Sequence, residues 1–457
     1  DALLAEAHRL GLKVIIDQVL SHSSDKHPWF EESRTSRNNP KADWYIWADP
    51  QPDGTAPNNW LSVFGGPAWE WDGVRKQYFM HNFLASQPDL NFHNPDVVDA
   101  LLDSVRFWLD RGVDGFRLDT VNFYYHDAQL RSNPPADAAG GGIGADAPDT
   151  NPYGMQNHLY SKTQPENLGF LERFRALLDA YDDRTSVGEV GAQNSLKVVS
   201  EYTEPGRLHM CYTFDLLGPQ FSAAHFRQAV DAFETTVQSG WVCWAFSNHD
   251  VTRHLSRWLQ PGEDRAHLAK FALTFLSCLR GSLCLYQGEE LALEEAELAF
   301  EDLTDPYGIR FWPAYKGRDG CRTPMVWEAD AAAGGFSSGT PWLPVTEAHR
   351  AAAVDAQEED EASVLNHYRA QLAFRKAEAA LIDGTIRFLD TEGEVLAFLR
   401  ETADETLLCA FNFGREAAEF DAPAGLTPVS LPHFGTKPAD ARIALGPLDA
   451  MCARVAR

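Results

Sequence analysis

Three carboxylates each close a short apolar run that is typical of a buried strand. They are Asp119 in GFRLDT (115–120), Glu189 in SVGEV (186–190) and Asp250 in FSNHD (246–250). A helical stretch follows each run, and successive acids lie about 60 to 70 residues apart, a spacing typical of βα units. In a parallel α/β barrel the active site is built where strands end. The sequence therefore predicts that the three acids meet at one mouth of a barrel.

The first two acids suit the cleavage of a glycosidic bond with retention of configuration. That reaction needs one ionised carboxylate as nucleophile and one protonated carboxyl as general acid, ~5 to 5.5 Å apart. Arg117 lies two residues before Asp119, so both side chains share a face, and the guanidinium favours the ionised carboxylate. Glu189 follows Gly188 in an apolar strand, where partial desolvation favours the protonated form. We therefore predict Asp119 as nucleophile and Glu189 as acid/base.

The third acid suits binding rather than attack. His249 and Asp250 offer a donor and an acceptor for neighbouring sugar hydroxyls, and such hydrogen bonds tighten at an oxocarbenium-like transition state. Each signal taken alone is more often structural, since a strand-end Asp caps helices and an NHD sequence forms turns. The ordered occurrence of all three acids, with Arg117 before the first, favours catalysis.

Strands and helices alternate along much of the chain. Strands are predicted near 14–20, 113–118, 185–190, 209–214, 242–247 and 282–286, and helices near 95–109, 166–181, 220–237, 263–280 and 363–380. The first residues, DALLAEAHRL, have helical spacing and lead into Gly11. The fold class is therefore α/β, a (β/α)8 barrel that is two strands short at its start and exposes apolar surface there.

Three regions follow from this alternation. The barrel comprises 1–21 and 91–380, with an insertion at 289–344; an inserted subdomain occupies 22–90; and short alternating strands at 381–457 predict a C-terminal β-sandwich. The subdomain holds six of the 13 tryptophans, which we expect to form its core rather than a sugar-stacking surface. The Gly- and Pro-rich segment 132–152 is predicted to be a long loop, with its GGGIG (140–144) acting as a lid rather than as a phosphate loop.

Composition excludes several classes of protein. A net charge of −27 disfavours nucleic-acid and anionic-membrane partners, and no run approaches the ~18 apolar residues of a membrane helix. The seven cysteines are an odd number without CxxC spacing, so we predict buried thiols and a reducing cytoplasm. His27, His81, His93 and His126 lack the spacing of a zinc site, and no metal is predicted.

Five segments resemble the ordered motifs of the α-amylase superfamily of glycoside hydrolases. They are DQVLSH (17–22), QPDLN (87–91), GFRLDT (115–120), VGEV (187–190) and FSNHD (246–250). TVNFYYHD (120–127) and GRDGCRTPM (317–325) are similar to segments of bacterial α-glucosidases that act on short substrates. The resemblance implies Asp119 as nucleophile, Glu189 as acid/base and Asp250 as transition-state stabiliser.

The resemblance also implies supporting roles. His22, Arg117, His249 and Arg318 would line the glucose pocket, Asp17 would be a buried supporting acid, and Asn248 would hold its loop. A Thr or Ala at the position of Thr120 accompanies α-1,4 preference in this family, whereas Val accompanies α-1,6 cleavage. The family's opening strands, with an Asp-Tyr pair that grips glucose and a frequent calcium loop, have no counterpart in this sequence. We therefore expect an incomplete glucose pocket and no cofactor.

The predicted function is retaining, exo-acting hydrolysis of short α-1,4 glucosides such as maltose, assigned to the protein from which the chain comes. The segment 132–152 would restrict the substrate to short chains by covering the mouth. Two alternatives stay open: a transglucosylase or isomerase acting on sucrose, maltose or trehalose, and a catalytically silent barrel that serves as an interaction module. The intact acids disfavour the silent barrel.

Overall fold

A computed structural model describes residues 1–136, 148, 150–437 and 442–456. The GGGIG segment (140–144) lies outside the described residues, as do 137–147 and 149 of the predicted loop. The described chain divides into two compact units. The first contains the described residues up to 214 together with 235–241, and the second contains 215–234 and 242–456.

The first unit is built on a parallel sheet. The strands of the unit are β1 (Ile15–Gln18), β2 (Trp47–Ala48), β3 (Trp69–Asp72), β4 (Gln77–Met80), β5 (Gly115–Leu118), β6 (Thr185–Glu189) and β7 (Met210–Tyr212). Four of them form one parallel sheet in the order β1-β5-β6-β7. Because parallel strands place their carboxyl ends at one edge, the residues that follow β5 and β6 are brought together.

A glycine sets the spacing between the two strands that carry the predicted catalytic pair. Gly115 opens β5 opposite Thr185 on β6. A Cβ atom at this position would lie 2.2 Å from the backbone oxygen of Thr185, which is far inside van der Waals contact. Only glycine therefore permits this approach of the two backbones.

The described residues of the first unit form five α-helices: α1 (Ala2–Arg9), α2 (Pro28–Ser33), α3 (Pro95–Leu109), α4 (Asn167–Leu178) and α5 (Ser195–Tyr202). Helix α3 shows how the sequence specifies them. The side chain of Asn94 accepts a hydrogen bond from the backbone N–H of Asp96, and Pro95 takes the first helical position. Gly112, just beyond the helix, has a φ of +94°. The helix buries an apolar stripe formed by Val97, Val98, Leu101, Leu102, Val105 and Leu109.

Residues 22–90 contain an antiparallel sheet in the order β2-β4-β3. Trp60 and Trp69 are buried in an apolar cluster with Ile46 and Met80, as the core interpretation predicts. Trp71 is 44% exposed and does not belong to this core.

The first strand lies at the edge of its sheet. Strand β1 pairs only with β5 within the described residues. Apolar side chains are exposed along β1 and α1, as predicted; they are Leu3, Leu10, Leu12, Ile15 and Val19.

The second unit begins with two short parallel strands, β8 (Cys243–Trp244) and β9 (Ser282–Leu283). Strands thus lie at all six predicted barrel positions. The helices are α6 (Ala223–Thr236), α7 (His254–Trp258), α8 (Arg265–Cys278), α9 (Pro306–Phe311), α10 (Glu347–Arg350), α11 (Val354–Glu358), α12 (Val364–Ala377) and α13 (Ala379–Asp383). None of the helices in the described part of the chain is long and apolar enough to cross a membrane.

Two antiparallel sheets lie in the C-terminal part of the chain. Their strands are β10 (Thr385–Phe388), β11 (Val395–Glu401), β12 (Thr406–Asn412), β13 (Ala418–Asp421), β14 (Leu426–Val429), β15 (Arg442–Leu445) and β16 (Ala450–Val455). One sheet has the order β10-β11-β12-β16-β14, and β13 pairs with β15 in the other. Phe420 and Ile443 from the small sheet pack against Leu408 and Met451 from the large one, so the two sheets share one core.

Candidate active site

A single guanidinium organises the end of the first unit's sheet. Arg117, on β5, contacts Asp17 at 2.8 Å, Asp119 at 2.5 Å and Glu189 at 2.6 Å. It also donates a hydrogen bond of 2.8 Å to the hydroxyl of Tyr212. Burial alone would lower the pKa of Arg117, but Glu189, Tyr212, Asp119 and Asp17 together raise it. Arg117 is therefore a fixed positive charge shared by three carboxylates.

The sequence places Arg117 beside the predicted nucleophile, and the structure adds its contact with the predicted acid/base. Nη1 of Arg117 faces Asp119 and Nη2 faces Glu189. Both carboxyl groups thus lie within reach of one side chain, although they are 70 residues apart in sequence. Glu189 is buried, with 3% of its surface exposed, whereas the carboxylate of Asp119 is more accessible.

Thr120 forms a second link between the two acids. Its backbone N–H donates a 3.0 Å hydrogen bond to Glu189, and its hydroxyl donates a 3.2 Å hydrogen bond to Asp119. The same hydroxyl lies 3.3 Å from the hydroxyl of Ser21. Thr120 has a φ of +41°, a left-handed conformation that is rare for a β-branched residue. Such a conformation persists where the surroundings hold it, and it often marks a functional site.

His22 lies beside this group and is half-buried. Its Nδ1 is 2.9 Å from the hydroxyl of Ser21, and its Nε2 is 3.1 Å from the side-chain amide of Gln87. Burial lowers the pKa of His22, and the nearby charge of Asp119 opposes that shift. His22 is therefore favoured in its neutral form at neutral pH.

One supporting residue differs from its prediction. Asp17 is predicted to be a buried acid, but its side chain is 48% exposed. The reason is its position on β1, which pairs with β5 alone in the part of the chain that the structure describes. Asp17 nevertheless keeps its ion pair with Arg117, so it contacts the site from the solvent side.

The second unit holds the third acid in a cationic setting. Asp250 contacts Arg318 at 3.0 Å, Arg322 at 2.8 Å and the ring of His249 at 3.2 Å. The side chain of Asn248 accepts a 2.8 Å hydrogen bond from the backbone N–H of Asp250, which fixes the turn. Two guanidiniums therefore orient the Asp250 carboxylate.

Arg318 is itself held by Asp305, whose side chain is fully buried. Burial would raise the pKa of Asp305, but its hydrogen bonds and ion pair with Arg318 lower it overall. The pair fixes Arg318 so that one edge of its guanidinium faces Asp250. Asp305 is thus a positioning residue for this part of the site.

Sequence reasoning missed several of these groups. Tyr212 ends β7, and the strand-end rule that found the acids would also have found it. Arg322 and Asp305 lie in the irregular stretch after β9, where no periodicity indicates which side chains point together. Thr120 is predicted to shape the space beside the glucose site; the structure places it in contact with both acids.

Comparison with known proteins identifies the family to which this geometry belongs. Residues 1–384 match the α-amylase catalytic domain, and residues 386–451 match the C-terminal domain of maltogenic amylase. The chain belongs to the α-amylase family. It is a glycoside hydrolase of α-glucosidase type, and the predicted fold class, a (β/α)8 barrel domain followed by a C-terminal antiparallel sheet domain, is confirmed.

Three relatives illustrate the similarity. A probable α-glucosidase of Rhizobium meliloti is 55% identical over 460 residues, which cover 100% of this chain and 83% of that protein. An oligo-1,6-glucosidase of Heyndrickxia coagulans is 33% identical over 463 residues, covering 93% of this chain and 80% of that protein. The crystal structure of an α-glucosyl transfer enzyme matches with a TM-score of 0.96 at 54% identity, covering 100% of this chain and 85% of that one.

The glycoside hydrolase also buries a lysine near the end of strand β6. Nζ of Lys162 donates a 2.9 Å hydrogen bond to the backbone oxygen of Gly191, two residues after Glu189. Phe123 and Tyr153 pack around the ammonium group, at 4.5 and 5.4 Å from their ring centres. Burial lowers the pKa of Lys162 from 10.5 to about 7. In the described chain no carboxylate contacts this lysine to offset its burial.

This lysine predicts how stability changes with pH. The unfolded chain binds the proton up to pH 10.5, and the folded chain only up to about pH 7. The destabilisation is therefore complete below pH 7 and decreases as the pH rises towards 10.5. A shift of this size corresponds to at most about 5 kcal/mol. We expect Lys162→Met to raise the free energy of unfolding by a few kcal/mol at pH 6 and by clearly less at pH 9.5.

Denaturant titrations at both pH values measure this effect. Lys197→Met is the matched control, because Lys197 is 67% exposed and pairs with Glu201 at 3.7 Å. Its free energy of unfolding should change by less than ~1 kcal/mol at either pH. A Lys162→Met protein that is less stable than the original at pH 6 would show that the hydrogen bond to Gly191 outweighs the cost of burial.

Proposed function

We propose that the protein is a retaining, exo-acting α-glucosidase that hydrolyses short α-1,4-linked glucosides such as maltose and releases α-glucose. The observation that carries this proposal is the guanidinium of Arg117, which contacts both Asp119 and Glu189. Two carboxyl groups held by one side chain fit the ~5 to 5.5 Å separation of retaining enzymes better than the ~6.5 to 9.5 Å of inverting ones.

The proposed reaction has two steps. Asp119 attacks the anomeric carbon while Glu189 gives its proton to the departing glycosidic oxygen, and a covalent glucosyl-enzyme forms. Glu189 then takes a proton from water, which attacks the same carbon and releases glucose with its configuration retained. These carboxyl groups supply both the nucleophile and the proton, so we propose hydrolysis without a cofactor.

Arg117 has a specific part in this proposal. It holds the Asp119 carboxylate in one orientation through its 2.5 Å contact before attack. When Asp119 becomes an ester it loses its charge, and Arg117 keeps its contacts with Asp17 and Tyr212. The guanidinium is thus never left without a partner during the cycle, which keeps the site rigid.

The second unit supplies the proposed sugar-binding carboxylate. Arg318 and Arg322 both contact Oδ1 of Asp250, and we propose that the carboxylate they orient accepts hydrogen bonds from glucose hydroxyls. His249, which lies beside Asp250, is a proposed hydrogen-bond donor to glucose, and His22 is a proposed donor beside Asp119. Hydrogen bonds to these hydroxyls strengthen as positive charge develops on the sugar ring.

Linkage preference is proposed to depend on Thr120. We expect kcat/KM for maltose to exceed that for isomaltose, and Thr120→Val to lower this ratio by about tenfold, roughly the worth of one hydrogen bond to a charged group. Valine keeps the branched shape and loses the hydroxyl contacts with Asp119 and Ser21. Thr120→Ser keeps the hydroxyl and is the matched control. Isomaltose turned over faster than maltose by the unaltered protein would contradict the α-1,4 assignment.

The same assay tests the proposed preference for short substrates. Maltose, isomaltose, sucrose and soluble starch are compared side by side, and the anomer of the released glucose is followed by NMR. We expect starch to be the poorest α-1,4 substrate and the first-formed product to be α-glucose. Starch as the best substrate would contradict the exo-acting proposal, and β-glucose would contradict retention.

Transglucosylation is a second candidate, favoured by the 54% identity to an α-glucosyl transfer enzyme. Both reactions share the glucosyl-enzyme and differ in whether water or a sugar accepts glucose. Product analysis at low and high maltose separates them. Transfer products that exceed glucose at low maltose would favour this second candidate.

A further inference from the structure

Three thiols from distant parts of the chain meet in the interior of the second unit. Cys278 ends helix α8, and Cys409 and Cys452 lie opposite each other on strands β12 and β16. All three are buried, and their Sγ atoms lie within 4.8 Å of one another. The Sγ atoms of Cys409 and Cys452 are 3.7 Å apart.

Two buried arginines lie beside this thiol cluster. Arg400 donates hydrogen bonds to the backbone oxygens of Cys278, Leu381 and Gly384. Burial lowers its pKa to about 10, and nearby Cys409 and Cys278 oppose that shift. Arg400 has no carboxylate among its described hydrogen-bond acceptors.

Arg375 reaches the same helix end. It donates to the backbone oxygens of Ser277, Leu279 and Gly281. Burial lowers its pKa, and Cys278 opposes that shift. Its described hydrogen-bond acceptors, like those of Arg400, include no carboxylate. Among the described residues, two positive charges thus lie close to Cys278, where the helix C-terminus supplies a partial negative charge.

The thiols are ordered by their hydrogen bonds. The thiol of Cys452 donates to the sulfur of Cys409, and the sulfur of Cys278 lies within 4.8 Å of both. A structural interpretation treats each cysteine as a small apolar residue and each arginine as a helix cap. That interpretation explains the groups singly, but it does not explain why three sulfurs and two cations without a carboxylate partner share one place.

We propose that Cys278, Cys409 and Cys452 form a buried three-sulfur site for one thiophilic monovalent d10 cation, Cu(I) in preference to Zn(II). Thiolates are the ligands that select Cu(I) and Zn(II). Metal–sulfur bonds of ~2.3 Å place three sulfurs around one ion ~4 Å apart, so the cluster needs only a small contraction. The site lies outside the glycosidase machinery.

Charge balance decides between the two metals. On binding, three S–H bonds lose their protons to solvent and three sulfur–metal bonds form, without oxidation or reduction. Three thiolates with Cu(I) carry a net charge of −2, which Arg375 and Arg400 neutralise. The same thiolates with Zn(II) carry −1 and leave one buried positive charge in excess.

Metal analysis of the purified protein tests this inference. Because the thiols are buried, it is produced in medium supplemented with copper or with zinc, purified anaerobically and analysed for metal. We expect about one copper per chain after copper supplementation, little zinc after zinc supplementation, and X-ray absorption showing three sulfur neighbours. Competition with bicinchoninate for Cu(I) should show more than ~100-fold weaker binding in each of Cys278→Ser, Cys409→Ser and Cys452→Ser.

Cys284→Ser is the matched control, because Cys284 is an exposed thiol of the same unit. It should bind copper as the unaltered protein does. Copper content below ~0.1 per chain in the unaltered protein would overturn the proposal even if the serine variants fail to fold. Zinc retained in preference to copper, equal copper binding by the three serine variants, or nitrogen neighbours in the absorption spectrum would each overturn it as well.

Discussion

Asp119→Asn and Glu189→Gln should each lower turnover of maltose by at least ~10³-fold while the protein stays folded. Asparagine at 119 keeps the size of the side chain but cannot attack the anomeric carbon. Glutamine at 189 can still accept the hydrogen bond from Thr120 but cannot give a proton to the leaving sugar. Each change therefore removes one half of a two-step reaction.

An activated substrate separates the two roles. A nitrophenyl glucoside leaves without a proton, so Glu189→Gln should still form the glucosyl-enzyme and release a burst of nitrophenol, followed by slow turnover. Asp119→Asn should give no burst. Asp99→Asn is the control, since Asp99 is an exposed partner of Arg173 and should keep full activity. Retention of a tenth of the activity by either site variant would end the assignment.

Arg117→Met should produce the second largest effect. It removes the only side-chain cation shared by Asp17, Asp119 and Glu189 in the described structure, so these acidic side chains lose their common partner. We expect kcat to fall at least ~100-fold, because the nucleophile loses its orientation. We expect the free energy of unfolding at pH 7 to fall by about 3 to 5 kcal/mol, the usual effect of removing one partner of a buried ion pair.

Acid should partly restore the stability of this variant, because protonation of the carboxylates removes their repulsion. Denaturant titrations at pH 7 and pH 5 measure this recovery. Arg117→Lys keeps the charge but cannot contact several carboxylates at once, so its loss should be intermediate. Arg173→Met, which removes an exposed cation, should change neither property. An Arg117→Met protein with normal kcat would show that Arg117 does not orient the nucleophile.

The site residues that the sequence predicts lie at the ends of strands. Asp119, Glu189 and Asp250 each close an apolar run, and a simple rule about parallel barrels identifies such positions. Family, fold class and enzyme class follow from those motifs and are confirmed. Linkage preference, cytoplasmic location and the absence of nucleic-acid partners stay predictions.

The remainder depends on contacts that no local pattern encodes. The contact of Arg117 with Glu189 follows from the register that sets Leu118 opposite Gly188 on the neighbouring strand. The exposure of Asp17 follows from the edge position of β1, which sequence periodicity does not specify. The thiol cluster joins Cys278 to Cys409 and Cys452 through packing of a helix on a sheet, so the usual metal-site spacings give no signal.

Gly115 has a consequence for anyone who screens substitutions across this enzyme. It lies four residues before Asp119, ~13 Å along the strand, and meets no substrate in the proposed reaction. A side chain there would still push β5 from β6, because the backbone oxygen of Thr185 lies 2.2 Å from where its Cβ would stand. Strand β5 leads to the proposed nucleophile and β6 ends at the proposed acid, so such a change would disturb the spacing of these two residues. In a mutational scan that measures activity alone, substitutions at position 115 would therefore resemble substitutions of the proposed catalytic acids. A library designed to alter specificity should leave this position unchanged.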